Sequence, residues 1–424
     1  MTPEIKQQIE QIRRGEVPEG FKHNSASVMP CDWNTCDFHE VATIQSGLVS
    51  PKEEPYCFMF HIGPDNIERD TGRIGNLKTA CELGLVSGKF YFDAGSIVYS
   101  KIRPNLNKVC IPNFEGICSA DCYSIKARAG IDRDYLFNLM LSFPFYRRAV
   151  ACSMRTGMPK INQDDLNAIP VVMPSQLEEQ QKIAAILTTQ DKVIELKEKL
   201  LAEKQRQKKY LMQVLLTGKK RLPRFSGEWK VNRLRNIATR HTKRNTIGNT
   251  NALTISAQYG LINQAEFFNK AVASDDKSNY FLLEKGDFAY NKSYSNGYPF
   301  GAIKRLTRYE VGIVSPLYIC FRIKEGSVSG EYLEQYFEAG LMNHEIQAFA
   351  QEGARNHGLL NIAVDDFFNS KILLPSPEEQ TAIAEIFSTA DREIDLLRQD
   401  IEQEKQKKKA LMQLLLTGIV RVKA

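Results

Sequence analysis

No stretch of this sequence approaches the roughly 18 uninterrupted apolar residues that would span a bilayer as a helix. A helical membrane protein is therefore excluded. The first twenty residues, Met1 to Gly20, lack an apolar core between a basic start and a cleavage site, so no secretory leader is expected there. The nine cysteines are an odd number, eight of them in the first half, without the dense pairing of a secreted disulfide scaffold. Reduced thiols in a cytoplasm are the simpler expectation. Cys31 with Cys36, and Cys118 with Cys122, have a loosely zinc-like spacing, but neither has a convincing second pair or histidine partner. Buried free thiols are expected instead, and no metal.

The motifs that an enzyme of this size would carry are also missing. No G-x-x-x-x-G-K-[ST] phosphate loop, no H-E-x-x-H and no paired nucleophile and base is present. A loop of the Asn-Pro-Pro-Tyr type for amino-methyl transfer is absent; Asn296-Gly-Tyr-Pro-Phe300 is only an echo, with no glycine-rich nucleoside loop before it. The pairs Asp164-Asp165 and Asp365-Asp366 occupy matching places before a strand and read as polar turn caps rather than metal carboxylates. No catalytic residue and no cofactor is expected.

What is there is a globular composition, 43% hydrophobic and 25% charged, in a chain of 424 residues that is long enough for two or more domains. A formal net charge of +6 is mildly basic. That fits a nucleic-acid partner without demanding one.

The organising feature is a duplication. Glu178 to Gly218 and Glu378 to Gly418 align without a gap, with about 19 of 41 positions identical. Each copy follows a short apolar strand and a proline (IPVVMPS, KILLPSP) and ends in Leu-Met-Gln-x-Leu-Leu-Thr-Gly. Ser175 and Ser376 are candidate N-caps, the following glutamates suit the positive end of a helix dipole, and Gly218 and Gly418 suit the position past its end. Each copy thus reads as a rod of roughly 60 Å. Leu187, Ile194, Leu201 and Leu215 form one heptad column, matched by Phe387, Ile394, Ile401 and Leu415. The companion column of Ile183, Gln190, Lys197, Lys204 and Leu211 is too polar for a free coiled coil, so each helix is expected to need the other.

Between the helices lie two segments of about 150 residues with a recurring skeleton. AGSIVYSKIRP corresponds to KGDFAYNKSYS, and ICSADCYSIKA to GIVSPLYICFRI, as strands. A helical stretch follows in each, the first interrupted by Pro144. Then come a loop bearing Gly and Arg, an acidic turn and the next strand. Glu10 to Pro18 resembles the end of the first long helix with its Gly218 and Pro223 exit, and Trp33 and Trp229 follow at matching places. The expected fold is α+β: two globular domains separated by two long antiparallel helices that form a coiled-coil pair, pseudo-twofold through the internal repeat. The expected boundaries are a partial repeat at 1–24, a first domain at 25–174, a helix at 175–218, a second domain at 219–376 and a helix at 377–424.

With the Pro-x-x-EEQ entry, the LLTG exit and the alternation of variable and helical regions, essentially the whole chain resembles the specificity subunit of type I restriction-modification systems. The resemblance implies two target-recognition domains, each reading half of a split, asymmetric site in double-stranded DNA. It also implies helices that set the distance between the halves and dock methyltransferase subunits, in two copies, with restriction or translocase subunits beyond them. The role implied is non-catalytic, cytoplasmic and without a membrane. A coiled-coil adaptor for protein partners and a self-contained methylase-nuclease fragment are the rival readings.

Candidate DNA ligands are long donors in polar loops at strand exits. In the first domain these are Lys101, Arg103, Arg155, Lys160 and Asn162. In the second, Arg240, His241, Lys243 and Arg244 suit phosphates, while Asn291, Lys292, Ser293, Tyr294, Arg355, Asn356 and His357 suit base edges. The family's partner interface carries over onto Glu179, Gln180, Glu379 and Gln380, whose alternative use is to cap and complement the helix start.

Overall fold

A computed structural model of the chain describes residues 3–24, 27–153, 159–256, 259–268, 277–295, 297–352 and 360–422. The chain divides into two units, Met1–Glu198 with Asp400–Ala424, and Lys199–Gln399. Each of the two long helices, Leu177–Leu215 and Pro377–Leu415, gives its first half to one unit and its second half to the other.

The skeleton legible in the sequence is present twice. In the first unit a four-stranded antiparallel sheet runs in the order Val109–Cys110, Ile97–Ser100, Cys122–Ala127, Ala42–Ile44. In the second unit the order is Ala302–Arg305, Phe288–Asn291, Ile319–Ile323, Ala238–Arg240, with the same directions. The short apolar runs at Ile97 and Phe288 become the buried central strands, as residues that fit a doubly covered pleated surface should.

A second sheet also recurs. In the first unit it has five strands, Leu48–Val49, Lys89–Phe92, Gly116–Cys118, Phe60–Ile62 and Lys78–Thr79, with one parallel pair at its centre. The second unit pairs Phe281–Glu284 with Val311–Val314 and Leu253–Ser256 with Gly260–Asn263; the bridges Arg244 to Phe281 and Ala252 to Ile313 restore the same order.

The interrupted helical stretch of the first unit is two helices, Arg133–Leu141 and Phe143–Ser153. The break falls at Ser142, since Pro144 lacks the N–H a continuous helix would use. Gly330–Glu338 and Asn343–Phe349 correspond in the second unit.

Each core joins sheet, helices and long-helix ends. Trp33, Phe38, Tyr99, Tyr135 and Phe145 pack with Ile183, Leu187, Leu415 and Leu416 in the first unit. Phe288, Phe321, Tyr332 and Phe367 pack with Leu215, Leu216, Ile383 and Phe387 in the second. The two heptad columns are buried as their spacing implies, except that Leu201 is only half-buried.

The polar companion column faces carboxylates of the other helix. In the first unit Gln190 donates to Glu404 at 2.7 Å, Lys197 meets Glu404 and Asp400 at 2.8 Å each, and Lys408 meets Asp191 at 2.6 Å. In the second, Lys204 meets Glu393 at 2.8 Å and Lys208 meets Asp391 at 2.6 Å. In each unit the number on one helix rises as its partner's falls, so the pairing is antiparallel. Single pairs of this kind contribute little, about 0–1 kcal/mol each, but they fix register.

Glu404 is the most engaged of these groups: hydrogen bonds from Lys197 first, then Gln190, pull its pKa from 4.5 to about 2. A carboxyl depressed in the folded state contributes stability above its ordinary pKa and loses it as pH falls through the folded value. The melting midpoint is therefore expected to drop between pH 4.5 and 2, and Glu404→Gln should reduce that drop in a calorimetric pH series.

Gly218 and Gly418 hold the left-handed backbone expected past a helix end, at φ +70° and +72°. Ser376 Oγ accepts from the Glu379 N–H and caps its helix. Ser175 does not cap: the first long helix starts two residues later, and the hydroxyl donates instead to the Asp32 carbonyl. The place Gly218 takes against Trp229 is taken against Trp33 by Gly418, not by Gly15. The cysteines are all free thiols; Cys110, Cys118, Cys122 and Cys320 are buried, whereas Cys31 and Cys81 are exposed, contrary to a uniformly buried set.

Candidate nucleic-acid interface

Two features of the fold bear on function: what holds each long helix to its unit, and what the strand ends present. Glu179, Gln180, Glu379 and Gln380 belong to the first. They are between 1% and 4% exposed, which removes their side chains from any partner surface. In the first unit the Glu179 carboxylate accepts from Arg421 Nε and Nη2 at 2.7 and 2.8 Å and from Trp33 Nε1 at 3.4 Å. Glu379 does the same in the second, accepting from Arg221 at 2.7 and 2.6 Å and from Trp229 at 3.2 Å.

Gln180 and Gln380 each accept, at 2.9 Å, the backbone N–H of the residue that caps the helix after the sheet, Asp132 or Ser329. Their amide nitrogens return to the proline carbonyls of Pro174 and Pro375. The duplicated Glu-Gln motif is thus an internal clasp rather than a surface offered to a partner. Burial explains the correction: an EEQ run at a helix start can point either way, and here the tryptophans and arginines draw it inward. Arg221 and Arg421 were missed, although each stands three residues past its LLTG glycine.

The second feature is a shared sheet end. In the first unit the chain leaves strand Ile97–Ser100 into the connection 101–108. Residues 159–161 run alongside that exit: Ile161 N–H donates to the Lys101 carbonyl at 2.9 Å, Arg103 N–H donates to that of Pro159 at 2.8 Å, and Ile102 bridges Lys160. Lys101, Arg103 and Lys160, some 60 residues apart in sequence, are brought together. Arg103 and Lys160 are exposed. Arg103 is held at φ +49°, a strained value for a residue with a side chain.

The Lys101 ammonium lies 5.2 Å from the centre of the Tyr123 ring. Burial first, and the Lys160 charge second, bring its pKa below the usual lysine value. The Asp121 carboxylate opposes that shift only in part, and two neighbouring cations at a strand exit suit a phosphate. Asn162 differs: its Oδ1 caps helix Gln163–Asn167 by accepting the Asp165 N–H at 2.7 Å, so it is a structural residue. Asp164 and Asp165 lie in the first turn of that helix, and Asp365 and Asp366 in the first turn of Val364–Asn369. Arg155 lies outside the described residues.

In the second unit the equivalent connection is 292–301, leaving strand Phe288–Asn291. Leu360 N–H donates to the Lys292 carbonyl at 3.1 Å, repeating the side-by-side arrangement. Asn291 Oδ1 accepts the Ser293 N–H at 3.1 Å, which shapes the exit as an Asx turn. Tyr294 stands 62% exposed. Arg355, Asn356 and His357 lie outside the described residues.

Strand Ala238–Arg240 pairs antiparallel with Ile319–Ile323, as Phe288–Asn291 does from the other side. Both run in the same direction, but Arg240 and Phe288 lie opposite the same residue, Phe321, so Ala238–Arg240 ends level with the start of Phe288–Asn291. Arg240, Lys243 and Arg244 are exposed where the chain passes from this strand to the second sheet, the Lys243 carbonyl accepting the Leu282 N–H at 2.8 Å and Arg244 bridging Phe281. Lys243 is 3.6 Å from Glu284, and Arg244 donates to Asn279. His241 is turned inward, with Nε2 2.7 Å from the Leu282 carbonyl oxygen and 4.0 Å from Asp287. It serves the fold rather than a phosphate, because its ring closes the gap between the two sheets.

Among the described residues no group of three or more His, Cys, Asp or Glu is placed to hold a metal ion. No helix among them is long and apolar enough to cross a membrane.

The model for the type I restriction modification DNA specificity domain matches residues 30–205 and again 226–406. The EcoDI specificity subunit of a type I restriction enzyme from Escherichia coli is 41% identical over 181 residues, which is 43% of this chain and 38% of that one. The MjaVIII specificity subunit from Methanocaldococcus jannaschii is 26% identical over 335 residues, 73% of this chain and 75% of its own length. In fold the chain is similar to the HsdS subunit from Thermoanaerobacter tengcongensis, with a TM-score of 0.51 at 19% identity, covering 93% of this chain and 99% of that one. Two matches to one family model, spanning the two halves of a duplicated fold, place the chain: it belongs to the type I restriction-modification DNA specificity family.

Proposed function

We propose that this chain reads two dissimilar short sequences in double-stranded DNA, one with each unit, and directs methyltransferase subunits to that bipartite site without a catalytic centre of its own. Residues 25–174 and 219–376 are the readers, 175–218 and 377–424 the segments that contribute the two long helices, and 1–24 a partial repeat. Work on DNA fits the cytoplasm, where two methyltransferase subunits, and restriction or translocase subunits beyond them, are the partners the family supports.

The observation that carries this reading is the repeated sheet end. Two unlike loops occupy one structural position, each beside a second segment, with Lys101, Arg103 and Lys160 in one unit and Asn291, Lys292, Ser293 and Tyr294 in the other. Arg240, Lys243 and Arg244, exposed where the chain passes from the outer strand to the second sheet, supply phosphate contacts. Arg155, Arg355, Asn356 and His357 belong to the same loops by sequence and complete the candidate set. Because the loops differ in sequence, the site they read is asymmetric.

Binding of the full chain to its preferred duplex, measured over a salt series, tests this. The affinity is expected to fall steeply and linearly on a log–log plot. Lys160→Ala should lower the slope by about 1 and weaken all sequences alike, as removal of a phosphate contact does. Salt-steep binding without any sequence preference would count against a reader and for a protein-binding adaptor with a basic surface.

A further inference from the structure

The reading loops need an anchor, and both units supply one at the same place. In the first unit Asn107, 7% exposed and at φ +45°, donates from Nδ2 to the carbonyl of Leu141 at 3.1 Å. Leu141 is the last residue of helix Arg133–Leu141. In the second unit the corresponding helix ends at Glu338. There Tyr298 donates its O–H to Glu338 Oε1 at 2.5 Å, and Lys304 donates to the Tyr298 oxygen at 2.9 Å and to the other carboxylate oxygen. The Lys304 ammonium also lies 4.7 Å from the centre of the Tyr298 ring.

None of this chemistry is shared between the units. An amide grips a carbonyl in one, and a phenol and an ammonium grip a carboxylate in the other. What is shared is the position: a loop side chain or its strand neighbour tied to the final residue of the helix that follows the sheet. The start of that same helix is held by Gln180 or Gln380 through the cap residue. A continuous hydrogen-bonded path therefore runs from the entry of each long helix, through one short helix, to the loop. Lys304 is 9% exposed, so it is too enclosed to touch DNA itself.

We infer that Asn107 in one unit, and Lys304 with Tyr298 and Glu338 in the other, are positioning residues for the reading loops, each setting discrimination at one half-site and leaving the other unchanged. This rests on the proposed reading of DNA by the two units. A rigid loop selects because a misplaced donor forfeits its base contact, so loosening an anchor lowers discrimination before it lowers overall binding.

The test uses the full-length chain and a target obtained by selecting wild-type ligands from randomised duplexes. Affinities are then compared for the target and for duplexes scrambled in either half, well below each variant's melting midpoint. Asn107→Ala is expected to reduce discrimination on the order of tenfold at one half-site only. Lys304→Met should do so at the other only. Tyr298→Phe, which removes a single oxygen, should act on the same half-site as Lys304→Met, and the double variant should be little worse than the worse single, as members of one network are. Discrimination kept at both half-sites, or lost equally at both, overturns the anchor while leaving the DNA reading intact. A wild-type chain that selects no sequence removes that reading, and the anchor with it.

Discussion

Arg421→Met is expected to destabilise the first unit by about 3 kcal/mol, at the low end of what breaking a buried ion pair costs. The reason lies in what the substitution leaves behind. The Glu179 carboxylate is 4% exposed and would keep only the Trp33 indole N–H, at 3.4 Å, as partner. The Arg421 side chain is about one-third exposed, so water can reach part of the vacated space; hence the low end of the range. Its second pair of bonds, to Asp32 at 2.8 Å each, joins a solvent-facing carboxylate and contributes less. Arg421 holds the Asp32 carboxyl below its ordinary pKa.

Glu179→Gln added to Arg421→Met removes the stranded charge and should recover a large part of the loss. A coupling energy of about 1–3 kcal/mol is the signature of such a pair. Urea unfolding followed in both single variants and the double measures it. Arg221→Met strands Glu379 in the same way within the second unit, so the two arginine substitutions should shift different unfolding transitions where the units melt separately. Additive losses at either site would mean that the clasp is no clasp.

The clasp also shows what the sequence could and could not tell. Periodicity and the duplicated run made both long helices legible, the first to within three residues; the second ends at Leu415, nine residues before the expected 424, because its apolar columns stop there. The strands around Ile97 and Phe288 were equally legible, as short β-branched and aromatic runs between turn residues. The direction in which a polar side chain points was not. Glu179 and Gln180 sit in a helix start that reads as exposed, and only the distant Trp33 and Arg421 turn it inward.

His241 failed for the same reason, since a histidine within a basic run looks like a phosphate ligand until a carbonyl of the neighbouring sheet claims it. Lys101, Arg103 and Lys160 were chosen one by one from local chemistry, and nothing in the sequence places 159–161 beside 101–103. Lys304 and Glu338 were passed over because each is an ordinary strand or helix charge until the fold pairs them.

The loop proposed to read DNA in the second unit hinges on a residue without a side chain. Gly301 lies at φ +78°, and a Cβ there would stand 2.2 Å from the carbonyl oxygen of Asn291 and 2.9 Å from the Tyr290 ring. No rotamer change relieves a contact with backbone. Nor can the chain swing aside freely, since the Phe300 carbonyl accepts the Tyr290 O–H at 2.7 Å and Ala302 is paired with Asn291. Gly301→Ala must therefore move the strand end that carries Asn291, in addition to about 1–2 kcal/mol for the left-handed conformation itself.

A total cost of about 2–4 kcal/mol to the second unit is expected, of the size that overpacking a tight site produces. Discrimination at its half-site should fall by more than about tenfold as the loop is displaced. Gly297 supplies the control: it too is left-handed, at φ +84°, but a Cβ there meets nothing within 4 Å. Gly297→Ala should cost only the backbone preference, about 1 kcal/mol, and leave recognition nearly whole. If both alanines affect melting and half-site selection equally, strain alone is at work, and the close approach of Gly301 to Asn291 has no part in holding the loop.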